Sequence, residues 1–311
     1  MRGVARTSLC MLLAFPGITL AVELEAVNVV GASHREEPNQ RVPASVSVIE
    51  GDRLHDADLG ALAQRVPGLM LSAPNPRYAA IGIRGLGTSS ANDGLDGSVA
   101  VFLDGVYLGR QGMTPLDFGD IERVEILRGP QATLYGKNAT AGAISLTSRM
   151  PSFVNQGQGE IRMGQDGLRH YRASVSGPLI DDELAGRLSV FEVSRDGDID
   201  NRFNGERLNE QDRQGFRGQL LWMPNERFSA RLIGDYALQD ESAVLAASHL
   251  SSMTRQRAAF VGYQPLPASP FARRVEQNDG NRLQTLQRGL TLQLDNYLDN
   301  CLLYTSDAAD E

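Results

Sequence analysis

Histidine, cysteine and clustered carboxylates are the side chains that most readily bind metals or move protons, and here they are dispersed. His34, His55, His170 and His249 stand with no metal-ligand spacing between them. The run Asn92-Asp93-Gly94-Leu95-Asp96-Gly97 begins like a calcium loop but lacks the acidic residue that would close one, so it reads as a solvated turn. Ile83-Arg84-Gly85-Leu86-Gly87 is no nucleotide fingerprint, because no Gly-x-Gly-x-x-Gly lies between a strand and a helix. No catalytic triad, redox pair or metal set emerges. The sequence points away from an enzyme and calls for no cofactor and no metal.

The ends of the chain point to export. Arg2 and Arg6 precede the apolar run Leu9–Leu20, broken by Pro16, and Thr19-Leu20-Ala21 offers small residues for cleavage. The run is well short of the ~20 residues a spanning helix needs, so residues 1–21 are expected to be a cleaved signal peptide. Cys10 lies inside it. The other cysteine, Cys301, opens residues 301–311, which look like a translated sequencing adapter and are set apart from fold reasoning. Between them no disulfide can form, and the sequence is expected to be part of a longer protein. A net charge of −8 carries no nucleic-acid footprint, which would need a basic face. Glycine, at 32 of 311 residues, exceeds the usual ~7 % share, as expected where tight turns join many strands.

Three regions follow. Residues 22–41 hold a short β-prone segment, Glu25-Ala26-Val27-Asn28-Val29-Val30, on the polar leash Ser33–Gln40, which suits a tethered peptide offered to a partner. Residues 42–150 read as a compact α+β unit. Val42–Ile49 alternates like a strand, and Asp56 or Asp58 caps a helix through Gln64 that Pro67-Gly68 stops. Ala80–Gly85 and Ser98–Tyr107 read as further strands. Ile121–Ile144 reads as a strand, a Gly-Pro turn and a return strand.

From Gly157 onward long strands alternate polar and apolar residues: Gly159–Gly164, Arg169–Ser176, Leu184–Arg195, Gln214–Met223, Arg227–Gln239 and Gln287–Tyr297. Short connections (Gly177–Glu183, Pro224–Glu226) alternate with long polar ones (Asp196–Arg213, Asp240–Leu286). This is the rhythm of a membrane barrel with short turns on one side and long loops on the other. Phe153, Tyr171, Phe203, Trp222, Phe228 and Tyr236 lie near strand ends, where interfacial girdles sit. The expected fold class is therefore an α+β plug domain followed by the first antiparallel strands of a transmembrane β-barrel, incomplete at about six strands over residues 151–300. An open sheet of that size would leave unpaired edge groups, which hydrocarbon does not tolerate.

A helix ending in Val66-Pro67-Gly68, then Ile83-Arg84-Gly85, Val101-Phe102-Leu103-Asp104-Gly105-Val106, Ile121–Pro130 and Leu134-Tyr135-Gly136, in that order, resembles the plug domain of TonB-dependent outer-membrane receptors throughout. The resemblance implies that Glu25, Ala26, Val27, Asn28, Val29 and Val30 are the TonB box. That box would add a strand to the TonB C-terminal domain. It implies that Arg84 and Arg128 lock the plug to glutamates of the barrel wall, a task that suits a permanently charged, bidentate guanidinium. It further implies that the apical segments Asn75–Tyr78 and Gly109–Gly112 touch the ligand, with Arg77, Tyr78, Arg110 and Gln111 as contact residues. The function implied is TonB-energised import across the outer membrane, most commonly of a ferric siderophore, by a monomer embedded in outer-membrane lipid. Vitamin, nickel and glycan import share this plug. A passive porin or adhesin would have strands without a plug, and a periplasmic enzyme would need a catalytic pocket.

Overall fold

The computed structural model describes residues 44–54, 59–72, 79–88, 96–110, 113, 119–242, 252–263, 273–278 and 282–298, with the backbone of 28–29, 37–38 and 301–310. β1 (Asn28–Val29) and β2 (Glu37–Pro38) form a two-stranded antiparallel pair, so part of the expected polar leash folds back on the segment it carries. Residues 1–21, expected to be a signal peptide, lie outside the described residues.

The α+β unit contains β3 (Ser45–Glu50), α1 (Leu59–Arg65), β4 (Leu69–Ser72), β5 (Ala80–Ile83), β6 (Leu86–Thr88), β7 (Val99–Leu103), β8 (Val106–Tyr107), β9 (Ile121–Arg128), α2 (Ala132–Tyr135) and β10 (Gly142–Ser148). Five strands make the central sheet in the order β3-β9-β10-β7-β8. All its pairs are antiparallel except β10 with β7. A second small sheet, β4-β5-β6, packs with α1 on one face. Leu62 and Val66 from α1 and Ile81 and Ile83 from β5 are buried together. They meet Val99, Val101, Val124, Ile126, Ile144 and Leu146 of the central sheet. The other face of β7 is covered too: Ala100 and Phe102 join Ala139, with Tyr107 and Tyr135 packed against them. A strand buried on both faces reads as a continuous apolar run, as Val-Ala-Val-Phe-Leu does.

Residues 98–107 are not one strand, as the sequence reading had them, but a hairpin. Asp104 (φ 50°) and Gly105 (φ 82°) both take left-handed conformations, as a two-residue turn between twisted strands requires. Arg84 (φ 54°) and Gly85 (φ 78°) do the same between β5 and β6. Arg84 therefore projects from a turn rather than from a strand.

The remainder is a seven-stranded antiparallel meander: β11 (Gln156–Met163), β12 (Arg169–Ile180), β13 (Leu184–Arg195), β16 (Gln211–Asn225), β17 (Phe228–Ser242), β19 (Arg282–Leu298) and β20 (Cys301–Asp310). All six strands expected from sequence are present, most of them longer than expected. β20 adds a seventh from the segment set aside: the backbone of β19 pairs with it from Gly289 to Leu298, since an edge strand templates an extended neighbour through main-chain groups alone. The long connections are not shapeless. β14 (Ile199–Asn201) and β15 (Arg207–Leu208) from one, and β18 (Arg274–Val275) from the other, form a three-stranded sheet. The second connection also carries α3 (Ser252–Phe260).

Register separates the meander into two chemically opposite faces. One row across it is Val175, Leu188, Gly218, Gly234 and Leu290, and its neighbour is Ser176, Arg187, Gln219, Ile233 and Thr291. The buried positions are mostly polar, including Ser174, Ser189, Gln219, Arg231, Gln239 and Gln293. The exposed ones include Val175, Leu188, Val190, Phe216, Leu220, Leu232, Leu290 and Leu292. That is inside out relative to a water-soluble domain. Each large apolar side chain left in water forfeits about 1.5–3 kcal/mol, so such a face demands an apolar surrounding. The polar face closes on the α+β unit.

Candidate functional site

The contact between the α+β unit (the plug) and the polar face of the meander (the wall) is built from buried charge. The β7–β8 turn places Asp104 beside the end of β10, because β7 and β10 run parallel with Leu103 opposite Leu146. The Asp104 carboxylate accepts the backbone N–H and the hydroxyl of Ser148, each at 2.8 Å. Two wall arginines close on the same carboxylate: Arg217 Nη1 at 3.4 Å and Arg231 Nη1 at 3.7 Å. Arg231 also donates to the Ser148 hydroxyl at 2.7 Å and to Gln219 Oε1 at 2.7 and 3.1 Å. The Gln293 amide donates to the Asp104 carbonyl.

A second plug carboxylate stands just before β9. Asp120 accepts from Arg187 Nε at 2.7 Å and from Gln219 Nε2 at 3.1 Å, while Arg187 Nη2 reaches Ser174 Oγ at 3.2 Å. Gln219 therefore bridges the two: its carbonyl takes Arg231 and its amide serves Asp120. Arg217 is held from its far side by Asp235 at 2.6 Å. The side chains of Asp104, Arg187 and Arg231 are each under 8 % exposed. Water cannot substitute for a lost partner there, so breaking one such pair costs about 3–5 kcal/mol. Charge repays burial only when every donor and acceptor is used, and here nearly all are. The arrangement can hold two bodies together with fixed register and release them when a partner is withdrawn.

None of these latch residues was singled out from the sequence, and the polarity is the reverse of the expected one: the plug brings carboxylates and the wall brings arginines. Two signals were present. Asp104-Gly105 is a hairpin dipeptide inside an apolar run. Arg187, Arg217 and Arg231 occupy every-second positions on the polar side of their strands, where charge must find a partner.

The expected lock residues lie elsewhere on the plug and share a neighbour. Arg128, at the end of β9, donates to Ser47 Oγ at 2.9 Å and to the Pro67 carbonyl at 3.3 Å. Arg84 donates its backbone N–H to the adjacent Gly68 carbonyl at 2.7 Å, and its residue is exposed. The Pro67-Gly68 stop of α1 thus brings Arg84 and Arg128 to one place. Of the expected ligand contacts, Arg110 is exposed beyond β8, whereas Arg77, Tyr78 and Gln111 lie outside the described residues. Within the expected TonB box, Asn28 and Val29 form β1; Glu25, Ala26, Val27 and Val30 lie outside the described residues.

A cavity of about 490 Å³ opens where plug and wall part, beside the Asp120 end of the latch. Leu103, Leu108 and Ile121 line it from the plug; Arg172, Ser189 and Arg217 are among its wall residues. On the opposite, apolar face, Trp222 meets Phe228 edge-on at 5.8 Å across the β16–β17 turn, and Phe216 stacks on Tyr236 at 5.5 Å.

Comparison with known proteins bears on what such a pairing is for. A family model described as TonB-dependent Receptor Plug Domain matches residues 38–143. The chain is 34 % identical over 168 residues to the pesticin receptor of Yersinia enterocolitica, covering 52 % of this chain and 24 % of that one. It is 25 % identical over 250 residues to the ferrioxamine receptor of the same organism, covering 76 % and 33 %. The chain thus spans between a quarter and a third of the length of these curated relatives. Among solved structures, the ferric yersiniabactin uptake receptor of Yersinia pestis superposes with a TM-score of 0.71 at 23 % identity, over 85 % of this chain and 40 % of that one.

Proposed function

We propose that the chain, whose residues 38–143 match the TonB-dependent receptor plug domain, is part of such a receptor and serves TonB-energised uptake of a ferric siderophore across the bacterial outer membrane. The observation that carries this reading is the buried Asp104–Arg217/Arg231 and Asp120–Arg187 latch. It fastens a globular plug to the polar face of a sheet whose other face is apolar. That other face meets outer-membrane lipid, after export directed by residues 1–21. A ligand arriving from outside shifts the plug, the segment Glu25–Val30 becomes available to the TonB C-terminal domain, and TonB delivers the energy for release inward. Strand addition is the recognition mode, with main-chain hydrogen bonds carrying most of the affinity.

Arg84 and Arg128 take the lock role through any wall carboxylates that face the Pro67-Gly68 corner. Arg77, Tyr78, Arg110 and Gln111 meet the ligand from the plug side. The direct test is binding between a peptide spanning Glu23–Arg35 and the TonB C-terminal domain. Saturable association with a gain in strand signal is expected; a flat titration with unaltered spectra removes the box assignment. Replacing Arg84 and Arg128 together is expected to loosen the plug, and unchanged melting with unchanged pore leakage removes the lock.

A further inference from the structure

Plug and wall are joined covalently by residues 149–155, between the end of β10 and the start of β11. The plug end of this joint is fastened twice. The Arg149 N–H donates to the Asp120 carbonyl at 2.8 Å, and the Arg149 guanidinium pairs with Asp52. Immediately before it, Ser148 is the hub that Asp104 and Arg231 share. Asp120 serves joint and latch alike, because its carboxylate takes Arg187 and Gln219 of the wall.

The wall end is fastened as closely. The Ser152 N–H donates to Ser176 Oγ at 2.8 Å, and that hydroxyl donates in turn to the Gly186 carbonyl at 3.0 Å. Ser176, 7 % exposed, thus staples the joint to β12 and β13 together. The Ser152 hydroxyl accepts the Val154 N–H at 3.0 Å, which tightens the approach to β11. Asn155 then lies against Gly177, where an added Cβ would meet its side-chain oxygen at 2.2 Å. The following residue, Gln156, is the ladder partner of Ser176 itself.

Only Met150 and Pro151 separate the two fastenings. Pro151 is buried and its ring fixes φ, so it contributes little freedom. A hinge needs residues that absorb large φ/ψ changes, and this joint leaves almost none. Swinging the plug about it would strand the Ser152 N–H and the buried Ser176 hydroxyl together. Other parts of the plug are held differently. α1 and the β4-β5-β6 sheet attach through Leu62, Val66, Ile81 and Ile83, and apolar packing is non-directional. β3 is the outer strand of the central sheet, paired with β9.

We propose that the joint is welded: β10, residues 149–155 and the β11–β12 hairpin move as one body. Displacement of the plug is taken up in β3, α1 and the β4-β5-β6 sheet. The proposal goes beyond the import reading and stands without it. In a receptor of the kind described above, the way inward opens beside α1 and the small sheet rather than along β11 and β12.

Spin-label distances in the purified full chain in detergent test this, with Cys10→Ser and Cys301→Ser as background. Met150→Cys with Met163→Cys spans the joint, and Met70→Cys with Met163→Cys spans the small sheet and the wall; all three sites are exposed. As urea is raised towards the unfolding midpoint, the Met70 pair is expected to broaden about twofold while the Met150 pair keeps its width. Broadening of the Met150 pair first, or of both together, overturns the welded joint and leaves the import reading untouched. Pro151→Gly with Ser176→Ala builds the missing hinge, and both pairs then broaden together. Hydrogen exchange gives a second readout: Ser176→Ala should speed exchange of the Ser152 amide about tenfold, and Ser176→Thr, which keeps the hydroxyl, should not. An unchanged Ser152 rate in Ser176→Ala also overturns the proposal, since the staple would then hold nothing.

Discussion

Asp104 and Ser148 stand 44 residues apart in sequence, yet the carboxylate of one takes both the backbone N–H and the hydroxyl of the other at 2.8 Å. This pair closes the plug on itself at the point where Arg217 and Arg231 bind it to the wall. A single turn residue thereby fixes the end of the plug and its seat.

Removing that carboxylate leaves two guanidiniums facing each other in a dry site. Asp104→Ala is expected to destabilise the folded chain by about 3–5 kcal/mol. Ser148→Ala, which deletes a hydroxyl shared by Asp104 and Arg231, should cost about 1–3 kcal/mol. Chemical denaturation in detergent, followed by circular dichroism, measures both. A midpoint unmoved by Asp104→Ala would show that the latch contributes nothing.

The second latch is separable by a double-mutant cycle. Asp120→Ala and Arg187→Ala should each be destabilising and together less than additive, with a coupling of about 0.5–3 kcal/mol. Strict additivity would mean that the 2.7 Å contact is incidental.

Gly142 sits where β10 passes both β9 and β5. A Cβ there would lie 2.3 Å from the Leu127 carbonyl oxygen and 2.6 Å from Ile83 Cδ1. The oxygen belongs to the backbone and cannot swing aside, so Gly142→Ala should destabilise the plug by at least about 1–3 kcal/mol. Gly218→Ala, with nothing within 4 Å of the added carbon, is the matched control and should cost well under 1 kcal/mol. Hydrogen exchange of β9 and β10 reads the difference; equal protection in the two variants contradicts the packing argument.

Tyr135 gives the plug an alkaline limit. Burial first, and then the Glu125 carboxylate, push its phenol above the ordinary 10.0. The folded state thus holds this proton more tightly than the unfolded state does. The associated stability is complete below pH about 10 and drains away as pH rises beyond it. Tyr135→Phe should flatten that alkaline limb in a pH series of melting curves. An identical limb in the variant would assign it to other groups.

One buried amide reinforces the small sheet that joins the two long connections of the wall. Asn201, 1 % exposed, donates to the Gln277 carbonyl at 2.8 Å and accepts from the Gln277 and Phe203 N–H groups at 3.1 and 3.2 Å. Asn201→Ala should raise hydrogen exchange in Ile199–Leu208 and in 273–278 together. A rise confined to one connection would show that they move separately.

Much of this architecture was legible because its signals are local. The order of Val-Pro-Gly, Ile-Arg-Gly, Asp-Gly and Arg-Gly-Pro marks turns and stops that depend on neighbouring residues alone, and alternation along β13 and β17 separates two faces without knowledge of partners. The latch was hidden for the opposite reason. Asp104, Asp120, Arg187 and Arg231 are unremarkable charged residues until long-range pairing brings them together, and no spacing encodes that. The split of residues 98–107 at Asp104-Gly105 was readable but masked by the apolar run around it. The small sheet of β14, β15 and β18 joins segments some seventy residues apart, and its short polar strands carry almost no periodic signal.

The side-by-side alignment of β7 with β10 also constrains how the protein is made. The intervening chain includes β8, β9 and α2, so during synthesis β7 exists well before its parallel neighbour. Until Gly142–Ser148 is made, Val99–Leu103 keeps one edge without its native partner, an open template for wrong pairing. Closure of the central sheet is therefore a late event, and a chain halted short of residue 148 is left with that template bare.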